Sequence, residues 1–204
     1  MRSIISIVEG HSETEAVPVI LRRLIDQRRI HSEIEAARPF RTHKGSLLRP
    51  GGLEKAIRQA IRDRPDPGCV MVIIDADDDL PCELGPELFK RCDRLNLPLP
   101  VSVVIANREL EAWFLGAKQS LRGIRGIRAE ANSPKNPESI RGAKERLSDN
   151  MDGRRYLEVV DQPALAAKFD LGPAEKNCPS FERFLREFDR LLAAMGIPAN
   201  SAET

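Results

Sequence analysis

A continuous apolar run at residues 70–74, Val-Met-Val-Ile-Ile, constrains the fold of this chain more than any other segment. It follows Pro67-Gly68 and stops abruptly at Asp75, so its length fits a strand better than a helix. A strand without polar alternation has both faces buried, as in the centre of a parallel sheet covered by helices. The run therefore predicts an α/β fold.

The segments around this run alternate between strand and helix patterns, which is typical of parallel strands joined by helices. Strands are predicted over residues 4–8, 33–40, 70–74 and 101–106, and helices over 12–27, 52–64, 83–96 and 109–115. Ser12 and Glu15 have the spacing of a capping box at the start of the first helix. We predict a Rossmann-like, four-stranded, mainly parallel sheet flanked by helices.

Strand patterns end near residue 116, and the remainder of the chain has helical patterns. Helices are predicted over 137–149, 163–169 and 180–195. The last has a helical stripe of apolar side chains that we assign to the core, namely Phe181, Phe184, Leu185, Phe188, Leu191 and Leu192. The domain prediction is an α/β core over 1–118 with a helical C-terminal extension over 119–204 packed on it.

Charge and cysteine content argue against several classes of protein. The 32 Lys and Arg nearly balance 31 Asp and Glu, so nucleic acid could be attracted only by a local patch. The four cysteines lack the CxxC spacing of a zinc site and do not indicate a disulfide framework. The sequence shows neither a signal-peptide pattern nor an apolar stretch of about 18 residues, so we expect a cytoplasmic protein without a membrane segment.

Carboxylates follow three of the predicted strands, at the end where open parallel sheets bind ligands. Glu9 ends the first strand, Asp75 and Asp77 end the third, and Glu109 and Glu111 follow the fourth. Asp75 and Asp77 are predicted to project from one side of an extended segment. Crowded carboxylates repel one another unless a cation neutralises them, and Mg²⁺ or Mn²⁺ prefers such oxygen ligands. The pattern predicts a divalent metal site.

Acids at strand ends and helix starts also serve as caps. We favour this interpretation for four of them taken singly, namely Glu13, Glu15, Asp78 and Asp79. Glu9 precedes Gly10 and lies too early to cap the helix, so capping leaves it unexplained. The metal interpretation is therefore preferred for Glu9 and for the Asp75-Ala-Asp77 pair.

Three blocks of sequence, in this order, resemble the Toprim domain. They read VEGHSE at 8–13, IIDAD at 73–77 and NRELEAWF at 107–114. Within that superfamily the chain is most similar to small bacterial Toprim-like proteins of unknown function that are related to the OLD (overcoming lysogenization defect) nucleases. The third block suggests this branch, as do Pro137-Glu138, Gly142-Ala143-Lys144 and Pro179-Ser180-Phe181.

The resemblance implies cleavage of phosphodiester bonds assisted by one or two Mg²⁺ or Mn²⁺ ions. Carried over by residue, the ligands would be Glu9, Asp75 and Asp77 for a primary ion, and Glu13 with Glu109 or Glu111 for a second. Two such ions can activate water and stabilise the leaving oxygen. Lys144 would lie near the scissile phosphate and complete a catalytic set with Glu9, Asp75 and Asp77, although a solvated helix face explains Lys144 equally well.

Two basic loops could contact a nucleic acid, one over 41–44 with Arg49 and one over 122–128 with Lys135. The candidate contact residues are Arg41, Lys44, Arg122, Arg125 and Arg128. The chain has few aromatic side chains, so contacts would be to phosphates and would weaken with salt. Ordinary surface loops are an equally good interpretation.

Three hypotheses follow. The first is a Mg²⁺- or Mn²⁺-dependent Toprim-type nuclease acting on DNA or RNA, which the resemblance associates with anti-phage defence or mobile elements. The second is a non-catalytic metal- and nucleic-acid-binding regulatory module that needs a partner. The third is a phosphatase or phosphotransferase with a nucleophilic aspartate in the D-x-D segment, which leaves Glu9 without a role.

The expected partners are nucleic acid and an ATPase. The ATPase is implied by the Toprim resemblance. The sequence lacks the G-x-x-x-x-G-K-[ST] phosphate loop, so that ATPase would be a separate subunit. A homodimer is the self-association we consider.

Overall fold

The sheet at the centre of the protein confirms the parallel α/β prediction. The structure is a computed structural model that describes residues 1–198. Within these residues the strands are β1 (Arg2–Val8), β2 (Ile34–Ala36), β3 (Phe40–Arg41), β4 (Pro67–Asp75) and β5 (Val101–Ala106). Their order is β2-β1-β4-β5, β3 also pairs with β1, and all of these pairs are parallel.

The predicted strand over 33–40 is divided in two, so the sheet has five strands rather than four. Ala37 still donates its N–H to the carbonyl of Ile4, and Thr42 donates to Val8. Pro39 lies between these contacts and has no N–H to donate, which interrupts the ladder at this edge.

Helices cover both faces of the sheet and form the C-terminal part of the described chain. They are α1 (His11–Gln27), α2 (Lys44–Leu48), α3 (Gly52–Arg62), α4 (Pro81–Asp93), α5 (Glu111–Gly116), α6 (Ala143–Ser148), α7 (Glu158–Ala166), α8 (Leu171–Asn177) and α9 (Pro179–Ala194). Among residues 1–198, none of the helices combines the length and the apolar character that a membrane span requires. Helix α8 was not predicted, and the start of α2 was predicted as loop.

Several helix starts differ from the predictions, and α7 begins at Glu158 rather than at residue 163. Helix α1 is capped at Gly10, whose N–H donates to the carboxylate of Glu13, so the predicted Ser12 and Glu15 box is wrong in register. The predicted helix over 137–149 is also wrong in its first half. A single 3-10 turn covers Pro137–Ser139, and α6 begins only after Gly142, which has a left-handed φ of 72°.

The apolar run at 70–74 is buried on both sides, as predicted. Met71 and Ile73 pack with α1 and the C-terminal helices, whereas Val70, Val72 and Ile74 pack with α3 and α4 on the opposite face. The stripe predicted on α9 is also buried and lies in the larger of these two cores. Helix α9 packs along β5 and α7 packs on α1, so the C-terminal part covers one face of the sheet.

Gly116 in α5 lies against the end of α8 and provides a test of this packing. A Cβ at this position would overlap the Sγ of Cys178. We expect Gly116→Ala to lower the free energy of unfolding by about 1–3 kcal/mol, measured by urea denaturation, because overpacking forces neighbours apart. Gly45→Ala in α2 is the control, since, apart from its chain neighbours and its own helix backbone, its Cβ would meet no described atom within 4 Å. Equal stability of both variants would contradict the packing.

Candidate functional site

The carboxyl ends of β1, β4 and β5 bring acids from distant segments to one edge of the sheet. Glu9 follows β1, Asp75 is the last residue of β4, and Glu111 begins α5 just beyond β5. Glu13 reaches the same place from the first turn of α1. The charges of these four side chains act on one another, and we call them the acid edge.

Asp75 is the centre of the acid edge and is buried. Its Oδ1 accepts a hydrogen bond of 2.9 Å from the backbone N–H of Leu110, which fixes the side chain. Burial is the main cause that raises the pKa of Asp75 well above its usual range, and the neighbouring charges of Glu111, Glu13 and Glu9 raise it further. Asp75 therefore favours a nearby cation.

Glu111 is fully buried and is held by two residues that sequence analysis missed. Its Oε1 accepts hydrogen bonds of 3.0 Å from the Tyr156 hydroxyl and from Gln162 Nε2. Its Oε2 is buried and meets no hydrogen-bond donor among the described residues. Burial raises the pKa of Glu111 to about 7, against the opposing charge of Lys144. Glu111 is thus a rigid carboxylate with one oxygen available.

Glu9 and Glu13 differ in how far their oxygens are already engaged. Glu9 Oε2 is buried and has no partner within residues 1–198. Burial raises the pKa of Glu9, followed in effect by the charges of Asp77 and Glu13. Glu13 caps α1 through Gly10, so the capping interpretation is confirmed, although burial also raises its pKa.

Asp77 does not share the orientation predicted for it. The extended segment ends at Asp75, and Asp77 has a left-handed φ of 54°. Its Oδ2 lies 2.8 Å from the ammonium of Lys44, which also contacts Asp79 at 3.0 Å and the carbonyl of Ala76 at 2.6 Å. Asp77 is therefore paired with a lysine, although its charge still acts on Glu9.

Glu109 and Lys144 meet beside the acid edge. Glu109 Oε2 accepts a 3.3 Å hydrogen bond from the backbone N–H of Lys144, which makes Glu109 an anchor for the start of α6. The ammonium of Lys144 contacts Glu158 at 3.2 Å. Burial alone would lower the pKa of Lys144, but the charges of Glu111, Glu158 and Asp75 outweigh it and raise the pKa, so Lys144 remains a cation.

The predicted basic loops mainly make contacts within the protein. Arg125 Nε lies 2.7 Å from the buried carboxylate of Asp161, and Arg128 Nε lies 2.7 Å from Asp152. Arg122 donates to the carbonyl of Ala131 at 2.8 Å and to the side chain of Asn132. Lys44 is paired as described above, whereas Arg41 ends β3 beside Val8 and so lies near Glu9. Nucleic-acid contact by these residues stays a prediction.

The acid edge suits a divalent cation in its chemistry, although its side chains do not enclose one. Within residues 1–198, no three His, Cys, Asp or Glu side chains converge closely enough to form a metal site. Buried oxygens of Glu9 and Glu111 nevertheless lack partners in the same residues. Hard cations prefer such oxygen ligands, and a bound cation would favour the charged forms that burial disfavours in both carboxylates. The donor set therefore fits the chemistry of Mg²⁺ or Mn²⁺.

Comparison with known proteins adds one match. The sequence model of a protein family described as "Domain of unknown function (DUF4276)" matches residues 8–189, from the end of β1 to within α9. No curated protein matches the chain, and no solved structure does.

Proposed function

Since the chain belongs to the DUF4276 family, whose description assigns no activity, we propose from the site itself that the protein is a Mg²⁺- or Mn²⁺-dependent nuclease that hydrolyses phosphodiester bonds of DNA or RNA. The observation that carries this proposal is the acid edge, in which carboxylates from three strand ends come together beside a lysine and Glu9 and Glu111 each leave one buried oxygen without a partner among the described residues. The Toprim resemblance of the same residues supports it.

In this proposal Glu9, Asp75 and Glu111 are the main metal ligands, and Glu13 assists them. When bound there, Mg²⁺ or Mn²⁺ would supply Lewis-acid chemistry for the hydrolysis of the phosphodiester. Asp75 and Glu111 are preorganised for this role because backbone and side-chain donors hold one oxygen of each. Asp77 could join them only after release from Lys44.

Lys144 is proposed to stabilise the charge that develops on the phosphate. Its raised pKa keeps it protonated at neutral pH, so it provides a positive charge rather than a base. Its charge acts on all four carboxylates of the acid edge. A phosphate bound at this place would lie next to the ammonium of Lys144 and next to an ion held by these carboxylates.

One observation favours a second candidate, a metal- and nucleic-acid-binding regulatory module. The acid-edge side chains of the described protein do not close around an ion, which would fit a site completed by a partner such as a separate ATPase. The phosphatase alternative has less support, because Asp75 is buried and its Oδ1 already accepts a hydrogen bond.

A cytoplasmic location is also part of the proposal. All four cysteines fall within the described residues and are free thiols, as expected in a reducing compartment. Roles in anti-phage defence and an ATPase partner rest on the Toprim resemblance, and they stay predictions, as does a homodimer.

Cleavage assays test the nuclease proposal. Supercoiled plasmid, single-stranded DNA and a tRNA pool are incubated with Mg²⁺ or Mn²⁺, and we expect the parent to cut at least one of them. Glu9→Gln and Asp75→Asn should cut at least about 100-fold more slowly than the parent, since a bound ion stabilises the transition state by several kcal/mol. EDTA should abolish cutting.

Glu15→Gln is the matched control, because Glu15 lies on the exposed side of α1 near the same edge. It should retain the parent's rate. Cutting that persists in EDTA, or in Asp75→Asn, would contradict the proposal. Absence of cutting together with Mn²⁺ binding in calorimetry would favour the regulatory module.

A further inference from the structure

We propose that Arg108 and Arg141 form a clamp for a backbone phosphate of a nucleic acid at the rim of the acid edge. The inference rests on the proposed function in one respect, since that function supplies nucleic acid as the ligand. Neither arginine belongs to the basic loops that sequence analysis identified. Both reach the same carboxylate, that of Asp78, just beyond the end of β4.

The contacts of Asp78 leave a positive charge in excess. Arg141 Nη2 lies 2.6 Å from Asp78 Oδ1 and its Nη1 lies 3.3 Å from Oδ2, so the guanidinium group faces both oxygens. Arg108 Nη1 lies 3.4 Å from Oδ1. Two guanidinium groups share one carboxylate, so these three side chains carry a net charge of about +1, beside the charge of about −1 that remains where Asp77 and Asp79 share Lys44.

These ion pairs are open to solvent and are therefore exchangeable. The side chain of Asp78 is 69% exposed and that of Arg141 is 74% exposed, whereas that of Arg108 is 31% exposed. Exposed pairs of this kind contribute only about 0–1 kcal/mol, because water competes for both partners. A phosphate that approached the rim could replace Asp78 as the acceptor at little cost.

Residues on both sides of each arginine hold the two loops together. Asn107 Nδ2 lies 3.4 Å from Glu138 Oε2, and Glu109 accepts from the backbone N–H of Lys144. The two loops are thus joined by contacts that do not involve the guanidinium groups. This arrangement positions the arginines without engaging their donors elsewhere, as a preformed anion site requires.

Backbone strain marks the same place. Arg108 and Asp77 are both non-glycine residues in the left-handed region, with φ of 61° and 54°. The N–H of Asp77 donates to the carbonyl of Arg108 at 2.9 Å, so the two strained residues are directly linked. Such conformations cost about 1–3 kcal/mol each and are concentrated at functional sites. Here they place Arg108 beside Asp78.

The chemistry of the rim fits a phosphodiester better than a nucleobase. A guanidinium group presents a planar fork of donors that matches two phosphate oxygens. Base stacking would need exposed aromatic rings, but Trp113, Phe114 and Tyr156, which follow or line the acid edge, are buried. The clamp should therefore bind backbone phosphates without sequence preference.

Binding measurements test the clamp independently of cleavage. Fluorescence anisotropy with a short fluorescein-labelled duplex DNA is recorded over a range of KCl, once in EDTA and once with Ca²⁺ as the only divalent ion. Arg108→Ala and Arg141→Ala should each weaken binding about 5- to 10-fold and reduce the salt slope by about one. Arg186→Ala, an exposed arginine on α9 paired with Glu182, should bind like the parent.

Asp78→Ala gives the sharpest result, because the clamp predicts an effect of opposite sign. Removal of Asp78 frees both guanidinium groups, so this variant should bind the duplex more tightly than the parent. If the pairs served only the structure, loss of Asp78 would leave binding unchanged or weaker. Any of three results would overturn the clamp. They are unchanged or weaker binding by Asp78→Ala, no binding by the parent in either EDTA or Ca²⁺, and unchanged affinity of both arginine variants.

The clamp and the nuclease proposal can fail separately. If the parent cuts no substrate but the arginine variants bind DNA more weakly than the parent, the clamp is supported and the nuclease is rejected. If the parent cuts in a metal-dependent way and the arginine variants bind DNA as tightly as the parent, the nuclease is supported and the clamp is rejected.

Discussion

In metal-free solution near pH 8, the Glu111→Gln variant is expected to be more stable than the parent by about 3 kcal/mol. Burial raises the pKa of Glu111 in the folded protein from its ordinary value of 4.5 to about 7. Ionising Glu111 at this pH therefore costs the folded state about 1.4 kcal/mol for each unit between those values. Glutamine carries no charge, and its oxygen can still accept from Tyr156 and Gln162.

The pH dependence of this difference follows from proton binding. Between the unfolded pKa of 4.5 and the folded pKa of about 7, the folded parent holds a proton that the unfolded chain releases. The stability of the parent should therefore fall as pH rises through this window. Below it, Glu111 is protonated in both states, and the advantage of the variant should disappear.

Urea denaturation followed by Trp113 fluorescence, in EDTA at several pH values, measures this difference. Glu35→Gln is the control, because Glu35 is exposed on β2 and its replacement should leave the pH profile unchanged. Mn²⁺ should stabilise the parent more than Glu111→Gln, since an ion that binds the folded state adds to its stability. A variant that is less stable than the parent near pH 8, or a difference independent of pH, would contradict the described environment of Glu111.

A stabilising substitution in the acid edge would have a physical meaning for function. Carboxylates that repel one another in a buried place lower the stability of the metal-free protein. Asp75 has no role in the core that requires a charge, and an asparagine could accept from Leu110 as well. Retention of the charges is understandable if a cation neutralises them during activity.

The parts of the fold that local pattern determines were predictable from the sequence. The run at 70–74 specifies a strand buried on both faces, because no polar alternation is present, and its end at Asp75 fixes one acid position. Glu9 and Glu111 follow from the same reasoning at β1 and β5. Since parallel strands present their carboxyl ends at one edge, topology brings these acids together.

The parts that depend on long-range contacts were not predictable. Glu138 accepts hydrogen bonds from both the N–H and the hydroxyl of Ser180 in α9, and these contacts tie residues 137–142 to α9 in place of the predicted α-helix. The contacts of Glu111 with Tyr156 and Gln162 join segments far apart in the chain, and neither residue belongs to a motif. A single left-handed residue, Asp77, turns its carboxylate toward Lys44.

The clamp arginines illustrate the same limit. Arg108 lies inside the block at 107–114, whose glutamates are its most conspicuous feature. Arg141 lies in the predicted helix over 137–149, away from both predicted basic loops. Clustering along the chain therefore highlighted Arg122 to Arg128, whose side chains pair with nearby acids or carbonyls. Only the shared contact with Asp78 identifies the other pair.

Trp113→Ala is expected to lower the free energy of unfolding by about 3–5 kcal/mol, the largest loss among the variants considered. Trp113 is fully buried, and its ring lies 5.0 Å from Phe181 and 5.3 Å from Phe184, between centroids. Its Nε1–H donates to Ser180 Oγ at 2.8 Å. Alanine would lose the aromatic contacts and this hydrogen bond and would leave a cavity between α5 and α9.

Trp113→Phe separates the two contributions, because it retains a ring and removes the N–H. It should cost about 1–3 kcal/mol, the range for a buried polar group that loses its partner and a core that repacks. Urea denaturation must be followed by circular dichroism, since Trp113 is the only tryptophan. Phe89→Ala is the control, because Phe89 is 39% exposed on α4, and it should cost less than either. If Trp113→Ala were as stable as Phe89→Ala, α5 would not depend on this contact for its position. Because Glu111 begins α5, the preorganisation of the acid edge would then need another source.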